Sequence, residues 1–142
     1  MKVVIVGGGG VRTPQVVNGL LAKSSKLALE NITLLDVDNK RLESIFKVVD
    51  EIKNSYSSNK KVDINYTTDS KEAFEEADLI LFTIRVGNIQ SRIIDEQVPL
   101  NYGVVGQETT GPGGFAMAMR TIPVILDYMK VVAEVAPDAW VK

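Results

Sequence analysis

The chain has 142 residues, 45% of them hydrophobic and 24% charged, enough for one domain with a real core and too few for two ordinary ones. A formal net charge of −2, with no basic stripe interleaved with aromatics, excludes a nucleic-acid partner, and the absence of an apolar run of about 18 residues or a leader pattern after Met1-Lys2 sets the expectation of a cytoplasmic protein without a membrane span. With no Cys and no His, a disulfide and a hydrolytic triad are both excluded, and any transition-metal site would have to be built from carboxylates alone.

Val3-Val4-Ile5-Val6 reads as a strand buried on both faces, and it stops at Gly7-Gly8-Gly9-Gly10. Thr13 is placed as a helix N-cap and Pro14 as the first helical residue, with Val16, Val17, Leu20 and Leu21 on one apolar stripe. Free N–H groups at a helix N-terminus, behind a turn without side chains, make an anion site that suits the pyrophosphate of a dinucleotide. Gly7 and Gly9 fill the first two glycine positions of the dinucleotide fingerprint, but Arg12 stands at the third, so this helix is expected slightly further from the strand. A plain strand-to-helix turn with no ligand remains the alternative.

Lys23 to Glu30 is a polar connection, and Ile32-Thr33-Leu34-Leu35 is a second strand ending at Asp36. A carboxylate at that distance past the glycine turn accepts the ribose hydroxyls of NAD and repels the extra phosphate of NADP. Asp36 or Asp38 could instead cap the next helix, and for Asp38 capping is the preferred reading. That helix spans Lys40 to Tyr56, with Leu42, Ile45, Phe46, Val49 and Ile52 at steps of three and four. Ser55 to Lys61 is loop-like, and Val62 to Tyr66 alternates as a strand exposed on one side.

Asp69 and Glu72 resemble a capping box opening a short helix from Ser70 to Ala77, and Asp78 to Ile84 is the next buried strand. Strands and helices alternating at this spacing predict an α/β, Rossmann-like, doubly wound and mostly parallel sheet with helices on both faces. The strand ends then share one sheet edge, where open α/β folds bind ligands. The candidate cofactor-binding residues are Gly7, Gly9, Gly10, Val11 and Arg12 in the turn, Asp36 and Arg41 after the second strand, and Thr83 and Arg85 at the end of the strand over 78–84.

Ile89 to Asn101 is a helix carrying Arg92, Asp95 and Glu96, where the plain reading of Arg92 is an exposed pair with Glu96. Gly103 to Gly114, with five glycines and a proline around Gln107-Glu108-Thr109-Thr110, reads as a long functional loop. From Phe115 to Ala136 a long helix is predicted, kinked at Pro123, with Met119, Ile122, Ile125, Leu126, Met129, Val132 and Val135 inward. Pro137 to Lys142 is the turn into a further strand.

These motifs together resemble the family-4 glycoside hydrolases, the NAD-dependent 6-phosphoglycosidases. The resemblance rests on the glycine turn with Thr13-Pro14, Asp36-Val37-Asp38 with Arg41-Leu42, Ile84 to Gly87, Arg92 with Asp95-Glu96, Pro99-Leu100, Gly106 to Gly114, Arg120-Thr121-Ile122-Pro123 and Pro137 to Trp140. Thr110 and the Arg-Thr-Ile-Pro run are most like the 6-phospho-β-glucosidase branch. The resemblance implies a glycosidase in which NAD⁺ oxidises C3 of a 6-phospho-glucoside, a tyrosine removes the C2 proton, the aglycone is eliminated, and water addition and re-reduction follow. A divalent metal, usually manganese, polarises the C2 and C3 oxygens.

By position, the resemblance makes Arg92 the substrate-binding arginine and Glu108 the catalytic-site carboxylate that raises the basicity of the tyrosine. The family's metal ligands, catalytic Asp and Tyr, and Asn-Pro motif belong beyond Lys142. Residues 1–142 are therefore expected to be the NAD-binding domain of a longer enzyme, homo-oligomeric when full length, with no catalytic or metal-binding domain and no glycosidase activity of their own. Two other readings fit part of the pattern. A lactate or malate dehydrogenase-like oxidoreductase also places an arginine here, but it needs a catalytic His and has no place for the 106–114 loop. A free-standing nucleotide-sensing module is the other.

Overall fold

Runs of β-branched and branched apolar residues form the sheet. In the computed structural model, which describes residues 1–56 and 62–142, β1 (Lys2–Val6), β2 (Asn31–Leu35), β3 (Asp63–Thr67), β4 (Leu79–Phe82) and β5 (Trp140–Val141) lie in the order β3-β2-β1-β4-β5. Every pairing is parallel, with Val4 opposite Thr33 on one side and Ile80 on the other. The expected loop over 55–61 falls mostly outside the described residues.

Between the strands run α1 (Thr13–Leu21), α2 (Ser24–Leu27), α3 (Asn39–Ser55), α4 (Ser70–Phe74), α5 (Asn88–Leu100) and α6 (Gly111–Val135). Successive strand residues face opposite sides, and both sides are covered. Val3, Ile5, Ile32 and Leu34 pack with Val17 and Leu21 of α1 and Leu42 and Val49 of α3. The alternate residues Val4, Val6 and Leu35 are equally buried, and α4, packed on β2 and β3, supplies the fully buried Ala73 and Phe74. Each such Val, Ile, Leu or Phe side chain contributes about 1.5–3 kcal/mol by leaving water. This is the Rossmann-like, doubly wound arrangement. The chain divides into two compact units: residues 1–84 with 131–142, which hold the whole sheet, and residues 85–130.

Local chemistry corrects several sequence expectations. Arg12, not Thr13, is the N-cap of α1; its side chain makes no cap bond, and Thr13 is buried inside the first turn. The connection from Lys23 contains α2, which ends at Ala28 in the left-handed region. Asp69 caps α4 through the N–H groups of Lys71 and Glu72, but Glu72 accepts from the Thr67 hydroxyl rather than closing the box. That helix stops at Phe74, just before Glu76 turns to φ +56°, and β4 is shorter than the 78–84 run.

The long helix starts at Gly111, inside the expected loop, and is continuous past Pro123. On it Met119, Ile122 and Leu126 are exposed rather than inward, together with Phe115. Periodicity identifies an apolar stripe; it does not say what covers it.

Candidate functional site

In the first unit the glycine turn is held at both ends. Gly7 takes φ +87°, and a Cβ there would meet the Thr83 backbone and hydroxyl at 3.0 Å, so the position needs glycine for both reasons. The Thr83 N–H and Oγ1 both donate to the Val6 carbonyl, at 2.8 and 2.9 Å. Gly7 and Gly8 N–H both donate to the Leu35 carbonyl at 2.8 Å. A Cβ on Gly8 would stand 2.7 Å from Leu34 Cβ, so Gly8 supplies a close approach of the turn to β2.

Gly10 N–H then donates to the Gly7 carbonyl and Thr13 N–H to the Gly10 carbonyl. The N–H groups of Val11 and Arg12 donate to no group among the described residues, and both residues are exposed. The turn therefore leads into α1 with two unspent donors and no side-chain cap, an arrangement that attracts anions.

Asp36 lies at the end of β2 beside this turn. Its Oδ2 accepts the Gly9 N–H at 3.0 Å, and its Oδ1 accepts the Asp38 N–H at 3.2 Å. Each carboxylate oxygen keeps acceptor capacity for a hydroxyl donor. Asp38 caps α3 by accepting from Arg41 N–H, as its preferred sequence reading has it. A Cβ on Gly9 would come within 3.0 Å of both Asp36 Oδ2 and Arg41 Cβ. Gly7, Gly9, Asp36, Arg41 and Thr83 are thus gathered around one turn, while Arg85, Arg92 and Glu108 belong to the second unit.

In that second unit, Gly87 starts α5 at φ +84°. Arg92 Nε donates to Glu96 Oε1 at 2.6 Å, the pair expected from spacing, and its Nη2 donates to Glu108 Oε2 at 3.1 Å. Chiefly the Glu96 bond, then the Glu108 charge, holds the Arg92 guanidinium above its ordinary pKa. Gly106 lets the Glu108 loop approach α5, and Gly113 does the same for the first turn of α6. A Cβ on Gly106 would lie 2.0 Å from the Glu96 carbonyl oxygen, and one on Gly113 would lie 2.1 Å from that of Gln107 and 2.9 Å from that of Asp95.

Asp95 is buried and accepts two bonds from Arg120, from Nη1 at 2.9 Å and Nη2 at 2.5 Å. Those bonds hold its carboxyl below the usual range against the opposing effect of burial, and the Arg120 and Arg85 charges add to them. A depressed folded-state pKa stabilises the fold above the unfolded carboxyl's value of about 4, and that contribution is lost as pH falls through the folded value. The stability advantage of the wild type over Asp95→Asn, followed by thermal melts, is therefore full at pH 7 and shrinks with acidification below about pH 4. A gap that stays constant to the acid limit of folding would contradict this.

Sequence reasoning missed Gly8 as a packing glycine and the Asp95–Arg120 pair. Gly8 was signalled by four glycines in a row where the fingerprint needs two, but residues 95 and 120 share no periodic pattern. The turn's free donors and the adjacent carboxylate fit a dinucleotide. A metal is not fitted: among the described residues no group of three or more His, Cys, Asp or Glu could hold one.

Comparison with known proteins identifies the family and the fold. The sequence model of family 4 glycosyl hydrolases matches residues 2–142. The 6-phospho-beta-glucosidase of Escherichia coli (strain K12) is 37% identical over 143 residues, covering 99% of this chain and 31% of that protein. A crystal structure of a 6-phospho-alpha-glucosidase from gut microorganisms, in complex with NAD and glucose-6-phosphate, superposes with a TM-score of 0.92 at 35% identity, covering 99% of this chain and 32% of that one. The 6-phospho-beta glucosidase from Thermotoga maritima, with manganese, NAD⁺ and glucose-6-phosphate, gives 0.88 at 31% identity, covering 99% and 34%. The chain spans about a third of the length of the curated relatives it matches. With the family match running along essentially the whole sequence and the same fold in relatives at these identities, the chain belongs to glycosyl hydrolase family 4.

Proposed function

We propose that residues 1–142 act as the NAD-binding domain of a longer 6-phospho-β-glucosidase. The observation that carries this reading is the glycine turn, whose Val11 and Arg12 N–H groups are unspent while Asp36 is anchored on Gly9 N–H. The NAD-bound structures of relatives and the share of their length that this chain spans support it.

Bound NAD⁺ would supply the hydride acceptor for C3 of the sugar. The chain's own residues would place it. The α1 N-terminus with Val11 and Arg12 holds the pyrophosphate, and Gly7, Gly9 and Gly10 let the backbone come close. Asp36 accepts the ribose hydroxyls and repels a 2′-phosphate, with Arg41, Thr83 and Arg85 as further cofactor contacts. Arg92 takes the phosphorylated sugar, and Glu108 raises the basicity of a tyrosine supplied by the rest of the enzyme. Manganese would be held by ligands from that remaining part. The family resemblance supports a cytoplasmic homo-oligomer.

Thr110 and Arg120-Thr121-Ile122-Pro123 favour the β-glucoside, although relatives carry both the alpha and the beta name. Expressed as part of its full-length polypeptide with NAD⁺ and Mn²⁺, the chain should support cleavage of p-nitrophenyl 6-phospho-β-glucoside with kcat/KM at least about tenfold above the α-anomer. Faster cleavage of the α-anomer would overturn the β assignment, and cleavage of neither would overturn the glycosidase reading.

A further inference from the structure

Arg120 is the residue on which the second unit converges. Its two Nη groups grip both oxygens of the buried Asp95 carboxylate, a planar bidentate pair that fixes orientation as well as distance. Its Nε is buried with no hydrogen-bond partner among the described residues and lies 3.3 Å from where a Cβ on Gly87 would stand. One α6 side chain therefore grips the middle of α5 and leaves little room for a side chain at Gly87, where α5 opens.

From the same stretch of α5, Arg92 reaches Glu108. The loop carrying Glu108 is seated on the Glu96 carbonyl through Gly106 and runs directly into the first turn of α6, where Gly113 comes close to the carbonyls of Gln107 and Asp95. The loop thus has one end fixed by α6, and α6 is fixed to α5 at Asp95. A lysine at 120 would keep the charge and lose the fork, so the orientation would be lost with it.

We propose that Asp95 and Arg120 are positioning residues whose bidentate pair locks α6 onto α5 so that the 106–110 loop presents Glu108 to Arg92. Their functional meaning rests on the reading of Arg92 as the substrate-binding arginine and Glu108 as the residue that tunes the base. The pair acts on both without touching either.

The test is NMR of the isotope-labelled 142-residue chain. In the wild type, cross-relaxation is expected between the Arg92 Nη–H protons and the Glu108 γ-methylene, and between the Arg92 Nε–H and the Glu96 γ-methylene. In Arg120→Lys and in the near-isosteric Asp95→Asn, the Arg92–Glu108 contact is expected to disappear. The Arg92–Glu96 contact, internal to α5, and the signals of the sheet are expected to persist. Retention of the Arg92–Glu108 contact in either folded variant overturns the proposal, and so does joint loss of both Arg92 contacts, which marks general unfolding of α5 rather than positioning. Glucose 6-phosphate titrated into the wild type, read at the Arg92 Nε–H, judges the other reading separately. A saturable shift there supports Arg92 as the sugar-phosphate ligand and no shift overturns it, while the contact pattern decides the positioning claim in both cases.

Discussion

Replacing Asp36 by Ala is expected to weaken NAD⁺ binding to the 142-residue chain by about 10- to 100-fold. Hydrogen bonds from ribose hydroxyls to a charged acceptor contribute about 1.5–3 kcal/mol, and 1.4 kcal/mol is a factor of ten. The same change removes the acceptor that pins Gly9 N–H and Asp38 N–H, so the turn also loses its anchor at the end of β2. Asp36→Asn keeps a neutral acceptor and should fall between the two. Calorimetric titration of the three proteins, with circular dichroism as a check on folding, reads the effect. Equal affinity in wild type and Asp36→Ala would mean that the carboxylate serves the turn and not a nucleotide.

Phe74→Ala should have the largest effect on stability. Phe74 is fully buried on a short helix that packs against both β2 and β3, and a five-residue helix has little cooperativity of its own to hold it there. Truncating such a phenylalanine costs about 3–5 kcal/mol, through lost transfer energy and the cavity left behind. For a chain of this size that corresponds to a melting temperature lower by about 10–20 °C. Thermal melts of the wild type and Phe74→Ala check it, and a fall of less than about 3 °C would contradict the packing assigned to this helix.

The sheet was legible because its signal is local. Val3 to Val6, Ile32 to Leu35 and Leu79 to Phe82 are apolar runs of strand length bounded by glycine or acidic residues, and burial on both faces leaves no polar alternation to confuse them. The glycine turn and Asp36 were legible for a related reason: close backbone approach and a strand-end carboxylate each need a particular residue type at a particular place. The start of α6 was not. Glycine and proline rank last as helix formers, so Gly111 to Gly114 reads as loop. Tertiary contact overrides that propensity, since side chains at Gly113 and Gly114 would run into the carbonyls of Gln107 and Thr109.

Long-range pairing was the other limit. Nothing in the spacing of Asp95 and Arg120, or of Arg92 and Glu108, marks them as partners, because each pair depends on a loop whose path the sequence pattern does not specify. The exposed stripe of Phe115, Met119, Ile122 and Leu126 shows the same limit from another side. Its 3.6-residue period predicts a helix with one apolar face, and burial of that face depends on what packs there.

Whether the glycine turn with Asp36 binds NAD is decided by calorimetry of NAD⁺ and NADP⁺ against the 142-residue chain. Saturable binding of one NAD⁺ per chain is expected, with NADP⁺ at least about tenfold weaker because Asp36 repels the 2′-phosphate. No saturable heat at millimolar NAD⁺, or NADP⁺ bound as tightly as NAD⁺, would contradict it.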